Sequence, residues 1–174
     1  EAIGAALSQA NAGDWLLMQN ETNNQSYAAA TAKTLGLSVG YAAAPFDAQA
    51  VQAVMGSLDL LILNAVEAEQ LHQATGQSPA QLPVRDIIVT LGAEGCLWYG
   101  IEGQQQFEAI AVEPVDTTGA GDTFTGYVLA GLDRGMPMAQ AISLGIKAAG
   151  LMVTRLGTAD VIPDLKDLQD AQLI

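Results

Sequence analysis

Strands alternating with helices predict an α/β fold, with a mainly parallel sheet covered by helices on both faces and a β-hairpin toward the C-terminus. Three observations carry this prediction. Residues 58–63 and 86–91 are apolar almost throughout, the pattern of strands buried on both sides of a sheet. Between such runs lie stretches with apolar residues at helical spacing, each closed by Gly or Pro. After residue 92 the texture changes to two short alternating segments around Glu102-Gly103, which reads as a hairpin.

The elements follow in order. A first helical stretch ends at Gly13-Asp14, and Trp15-Leu16-Leu17-Met18 forms a short buried strand. Residues 24–35 are Ala-rich and helical, stopped by Gly36; residues 38–43 are a second strand, closed by Pro45. Asp47 caps a helix carrying Val51, Val54 and Met55 on one face. The strand at 58–63 leads into a helix over 64–75 that ends at Gly76, and the strand at 86–91 is cut by Gly92. The hairpin pairs residues 95–99 with 105–109, and residues 110–115 are expected to form a further strand. Two long helices, about 123–134 and 138–154, and a short helix within 164–169 complete the chain.

The 174 residues fit one domain or a large piece of one, read here as a single, incomplete catalytic portion over 1–174. Half the residues are apolar, so a sizeable core is available and disorder is excluded. Six basic against nineteen acidic residues leave a net charge of −13, which repels nucleic acid and anionic membrane surfaces. An anionic substrate would therefore be held by backbone amides and a metal. The lone Cys96 cannot form an internal disulfide, and no run approaches the ~20 apolar residues of a membrane helix, so a cytoplasmic setting is expected. The first residues carry no basic n-region and no initiator Met, so the chain is expected to open part-way through something longer.

The polar residues of interest, Glu21, Asn64, Thr90 and those in 116–122, all fall at the ends of strands, where α/β sheets bind ligands. Asp116-Thr117-Thr118-Gly119-Ala120-Gly121-Asp122 is the strongest feature. Its small residues let the backbone turn sharply, and successive amides opening a helix make an anion site. Asp122 is either a helix-start carboxylate interacting with the dipole or, inside an anion hole, the acceptor of a hydroxyl proton. Asn64 and Glu67 have the spacing of a capping box; alternatively Glu67 holds Mg²⁺ through waters. Thr90-Leu91-Gly92-Ala93-Glu94-Gly95 is an ordinary turn or a phosphate-contacting loop. Neither a P-loop nor a Gly-x-Gly-x-x-Gly after the first strand occurs. His72 has no second ligand at metal spacing, Cys96 reads as core, and Arg155 with Gly157 reads as a helix C-cap.

Asp116 through Phe124 resembles the C-terminal signature of the ribokinase-like (PfkB) sugar kinase family, whose three-layer fold the resemblance implies. The resemblance spans nearly the whole chain. Residues 17–21 resemble the strand bearing a sugar-contacting Glu, here Glu21; Asn64-x-x-Glu67 resembles the family's Mg²⁺- and phosphate-supporting motif. Thr90, Gly92, Ala93 and Gly95 match its nucleotide loop. The resemblance implies Asp122 as the base, the amides of Gly119, Ala120 and Gly121 as the anion hole, and ATP with Mg²⁺ as cofactors. It also implies K⁺ beside the hole, held by Asp116 and by carbonyls of Thr118, Met152, Arg155 and Gly157. The implied partners are a small sugar and ATP, with a homodimer for the intact protein.

The chain departs from the family at several points. Ala42-Ala43-Ala44-Pro45 stands where Asn-Pro-Ala-Pro is frequent, Ala65-Val66 where Glu-Thr is frequent, and Val161 where ribokinases often offer a hydroxyl to the cation. The family's Gly-Gly substrate motif, its other sheet strands and its lid are not represented. The expected function is transfer of the ATP γ-phosphoryl to a sugar hydroxyl, ribose-like in the first instance, with this chain binding nucleotide but turning over poorly. A nucleoside or vitamin alcohol as acceptor, or a non-catalytic nucleotide-binding module, are the alternatives. An exposed apolar strand edge is also expected, inviting self-association.

Overall fold

A computed structural model describes residues 2–174, which divide into two compact units. The first runs to Leu91 and takes in Leu97–Gln105; the second consists of Gly92–Cys96 and Gln106–Ile174.

In the first unit, helix α1 (Ala2–Leu7) precedes four parallel strands, β1 (Trp15–Gln19), β2 (Ser38–Ala42), β3 (Leu60–Asn64) and β4 (Asp86–Thr90). Helices α2 (Gln25–Thr34), α3 (Ala48–Val54) and α4 (Ala65–Thr75) supply the crossovers. Strands β5 (Cys96–Gly100) and β6 (Gly103–Phe107), whose residues divide between the units, complete a six-stranded sheet in sequential order. Connections of five and two residues are too short for parallel crossovers, so β5 and β6 run antiparallel, as the hairpin reading expected.

The expectation of strands buried on both faces holds for β3 and β4, whereas β1, expected as a buried strand, lies at the sheet edge with only Met18 buried. Val39, Tyr41, Leu61, Leu63, Ile87 and Val89 point to one face and pack with Ala29 and Ala32 of α2 and Val51 and Val54 of α3. The alternate residues Leu60, Ile62 and Ile88 are equally buried on the other. The two edges of the sheet differ. Edge strand β6 is Gly-Gln-Gln-Gln-Phe and mostly exposed, whereas β1 at the opposite edge is Trp-Leu-Leu-Met-Gln with Leu17 exposed.

Charge is concentrated at the amino ends of the strands. Lys33 Nζ lies 2.8 Å from Asp59, Arg85 Nε lies 2.8 Å from Asp86, and Trp98 Nε1 donates to Asp86 at 2.9 Å. Two of the six basic residues are thus engaged at the end of the sheet opposite the carboxyl ends.

In the second unit, α5 (Ala120–Asp133) packs along α6 (Met138–Met152), and α7 (Leu165–Asp170) docks through buried Leu168. The two long helices approach closely because Gly131 faces Ala141 and Gly145 faces Phe124 and Val128. Residues 110–115, expected as a strand, form no regular element. Their backbone pairs elsewhere: the amides of Val115 and Asp116 both donate to Val153 O, at 2.7 and 3.1 Å, and Ile110 covers Gly150. The end of α6 thus takes the place of a neighbouring strand as acceptor, while the Val112 and Val115 side chains stay exposed. Helix α5 also starts at Ala120, three residues before the expected Thr123.

Candidate active site

The Gly-rich run sits in the second unit as a turn closed onto the start of α5. Asp116 Oδ1 accepts from the Thr118 amide at 2.9 Å, and the Ala120 amide donates to Thr117 O at 3.2 Å. Gly119 is the N-cap residue with φ 81°, a left-handed conformation that glycine adopts without strain. A Cβ there would also lie 3.0 Å from Met152 Cε, and the Thr123 hydroxyl donates to Met152 Sδ at 2.7 Å in the core. Thr123 and the Met152 side chain therefore form the floor of the turn. The sequence reading missed this role, having assigned Met152 only through its carbonyl.

Gly121 differs from Gly119. Its φ lies outside the left-handed region and, among the described residues, a Cβ would meet nothing within 4 Å. Neither backbone conformation nor packing within the fold requires glycine there. Among the described residues the amides of Gly119 and Gly121 have no backbone acceptor, and both stand at the positive end of a 14-residue helix. Asp122 follows in the first turn of α5 with an exposed side chain.

Asp116, Thr118, Met152, Arg155 and Gly157 belong to this same unit. The Thr118 amide, then its hydroxyl, and the amide of Gly157 hold the Asp116 carboxyl below the usual carboxylate range. The Arg155 amide donates to Met152 O at 2.9 Å. The Arg155 guanidinium donates to Val161 O at 3.2 Å and to Asp167 Oδ2 at 3.1 Å, tying the tail to the end of α6. Tyr127 adds a hydrogen bond to Pro163 O. Gly157 has φ 136°, and Asp160 and Val161 crowd its Cβ position. Among the described residues no three acidic, His or Cys side chains converge to hold a metal. The atoms expected to hold a cation, the Asp116 carboxylate and backbone carbonyls of the same unit, are all oxygens, the donor type that suits a hard cation.

At the carboxyl end of the sheet, in the first unit, Asn64 and Thr90 are direct register partners. Asn64 Oδ1 accepts from the Glu67 amide at 2.9 Å and Glu67 Oε2 accepts from the Asn64 amide at 2.8 Å, so the expected capping box is formed. It leaves Glu67 Oε1 and Asn64 Nδ2 outside the cap. The Thr90 hydroxyl donates to Leu63 O at 3.4 Å. Glu21 lies exposed on the turn after β1.

Of the nucleotide-loop candidates in the second unit, Gly92 and Ala93 lie in a 3₁₀ turn (Gly92–Glu94), and Gly95 follows it, its amide donating to Gly92 O at 3.1 Å. Gly95, at φ 90°, is pressed against backbone. A Cβ would lie 1.9 Å from Phe107 O and 2.7 Å from Ala109 N, so this glycine has a packing reason of its own.

Comparison with known proteins then decides the lineage. Residues 4–165 match the pfkB family carbohydrate kinase. The chain belongs to that family. It is 33% identical over 163 residues to the ribokinase of Haemophilus influenzae, an alignment covering 86% of this chain and 53% of the relative. It is 37% identical over 111 residues to the aminoimidazole riboside kinase of Salmonella typhimurium, covering 56% and 35%. The crystal structure of ribokinase from Thermotoga maritima superposes with a TM-score of 0.82 at 29% identity, covering 96% of this chain and 58% of that one. The pfkB family chain described here thus spans about half the length, or less, of the curated relatives it matches. As in the family, its sheet is mostly parallel and carries helices, and no helix among the described residues is long and apolar enough to cross a membrane.

Proposed function

We propose that this chain is the nucleotide-binding, catalytic portion of an ATP-dependent carbohydrate kinase that transfers the γ-phosphoryl to a sugar hydroxyl, with a ribose-like sugar as acceptor. The observation that carries the reading is Gly121. Its backbone and surroundings accept a side chain, so the place a Cβ would fill is open to a ligand at the amides that begin α5.

Phosphoryl transfer depends mainly on positioning and charge stabilisation. In this reading the amides of Gly119, Ala120 and Gly121 donate to the oxygens of the transferring group, and the α5 dipole favours its charge. The Asp122 carboxylate takes the proton of the attacking hydroxyl, and Glu21 orients the acceptor. Thr90, Gly92, Ala93 and Gly95 line the nucleotide, and Asn64 with Glu67 supports Mg²⁺ and phosphate. Bound Mg²⁺ would neutralise phosphate charge, and K⁺ at Asp116, Thr118, Met152, Arg155 and Gly157 would steady the turn. Helical amides and metal also suit a chain whose Lys33, Arg85 and Arg155 are already paired with carboxylates.

Water exclusion and alignment of the acceptor depend on parts of the family fold outside this chain, so low turnover is expected alongside nucleotide binding. Calorimetric titration with Mg²⁺ and a non-hydrolysable ATP analogue tests the reading, and absence of binding in both K⁺ and Na⁺ overturns it. Asp122→Asn separates a kinase from a binding module: the kinase keeps nucleotide and loses residual transfer. The riboside kinase relative also makes a nucleoside-type alcohol the second acceptor to assay.

A further inference from the structure

Gln25, outside every motif described above, is the first residue of α2 and is nearly buried, at 8% exposure. Its side-chain amide turns back from the helix onto the turn after β1. Nε2 donates to Gln19 O at 3.0 Å and Thr22 O at 2.9 Å, with Asn20 Oδ1 at 3.3 Å. Oε1 accepts from the buried hydroxyl of Tyr41 at 2.8 Å. Both donor hydrogens are thus committed to residues that bracket Glu21 on either side, and the acceptor is anchored to Tyr41 of β2.

The turn is also held from the end of β2. The Asn20 amide donates to Ala44 O at 3.1 Å, and Asn20 Nδ2 donates to Pro45 O at 2.9 Å. The local conformation carries a cost: Asn24, the N-cap residue of α2, has φ 57° and makes no side-chain cap. The start of α2 is therefore organised around the turn at the expense of its own cap. A buried amide whose donors are all taken by one short segment, and whose acceptor is anchored in the core, specifies that segment's shape.

Resting on the kinase reading above, we infer that Gln25, supported by Tyr41, is the positioning residue that presents Glu21 to the acceptor sugar. The test measures three quantities on this chain: backbone hydrogen exchange across residues 19–24, ribose affinity by NMR titration, and affinity for the ATP analogue with Mg²⁺. Gln25→Leu and Tyr41→Phe are compared with Glu21→Gln. Gln25→Leu is expected to speed exchange in the turn at least tenfold. It should weaken ribose about tenfold, as Glu21→Gln does, while nucleotide affinity stays within twofold. Tyr41→Phe, which keeps the ring in the core, is expected to show the same split at two- to fivefold. A purely structural role would weaken both ligands together and lower Tm without that split, and this result overturns the inference. Unchanged exchange in both variants overturns it too. Absence of ribose binding in the wild-type chain, or indifference to Glu21→Gln, overturns the acceptor reading instead. The exchange measurement then decides whether Gln25 shapes the turn.

Discussion

Three glycines near the candidate site show how differently one residue type is used. Gly119 is required by its left-handed backbone, Gly95 by backbone atoms packed against it, and Gly121 by neither. Gly95→Ala is expected to destabilise the chain by about 3 kcal/mol or more, from strain plus a clash that backbone cannot relieve. Gly121→Ala is expected to leave Tm within about 2 °C while weakening the ATP analogue at least tenfold, since its methyl enters only the ligand's space. Thermal melts beside calorimetry distinguish the two, and a large loss of stability in Gly121→Ala would remove the argument for an anion hole.

Asp116 gives a pH-dependent prediction at the same scale. Its folded pKa lies below the unfolded value, so its contribution to stability is present above the ordinary carboxylate range of about 4 and is lost as pH falls through the folded value. Melts between pH 5 and 3 should show a steeper loss in the wild type than in Asp116→Asn. Burial pushes the Cys96 thiol up to about 11, so it stays protonated at neutral pH and should resist alkylation until the chain unfolds.

Among the elements, the α5–α6 pair depends on small residues at the crossing. A Cβ on Gly145 would lie 2.9 Å from Val128 Cγ2 and 3.0 Å from Phe124 O, so Gly145→Ala must part the helices and is expected to cost about 1–3 kcal/mol. Gly126, exposed on α5 with nothing within 4 Å, is the control: alanine there should stabilise by about 0.5–1 kcal/mol. Denaturant unfolding of the two variants checks both signs. At the start of α4 a similar contrast separates cap from ligand. Glu67→Gln keeps an oxygen for the Asn64 amide, so stability should hold while Mg²⁺-dependent nucleotide affinity falls; Asn64→Ala should cost about 1 kcal/mol whether or not nucleotide is bound. If Glu67→Gln left Mg²⁺-dependent binding unchanged, Glu67 would be a cap alone.

For the whole molecule the governing quantity is a net charge of −13. Self-repulsion among nineteen acidic residues opposes compaction, and salt screens it over about 10 Å at 0.1 M. Raising NaCl from 10 to 200 mM should therefore increase Tm by several degrees. KCl at the same ionic strength should exceed NaCl if the oxygens around Asp116 hold a monovalent cation, and equal effects of the two salts would argue against that site.

The amino-acid sequence by itself determined the strand and helix order, the sheet buried on both faces, the capping box at Asn64 and Glu67, and the family signature around Asp122. These features are local or periodic: a buried strand needs a continuous apolar run, and a cap needs a set spacing. Residues 110–115 read as a strand from their apolar residues, but the acceptor for the Val115 amide is Val153 at a helix end rather than a strand, and local composition does not name the partner. Gln25 was invisible for a related reason. A Gln at a helix start is unremarkable until its burial and its four backbone and side-chain partners are known. Only the tertiary structure could separate Gly121 from Gly95, because glycine is one letter in the sequence, whereas the space around a missing Cβ is set by segments distant along the chain.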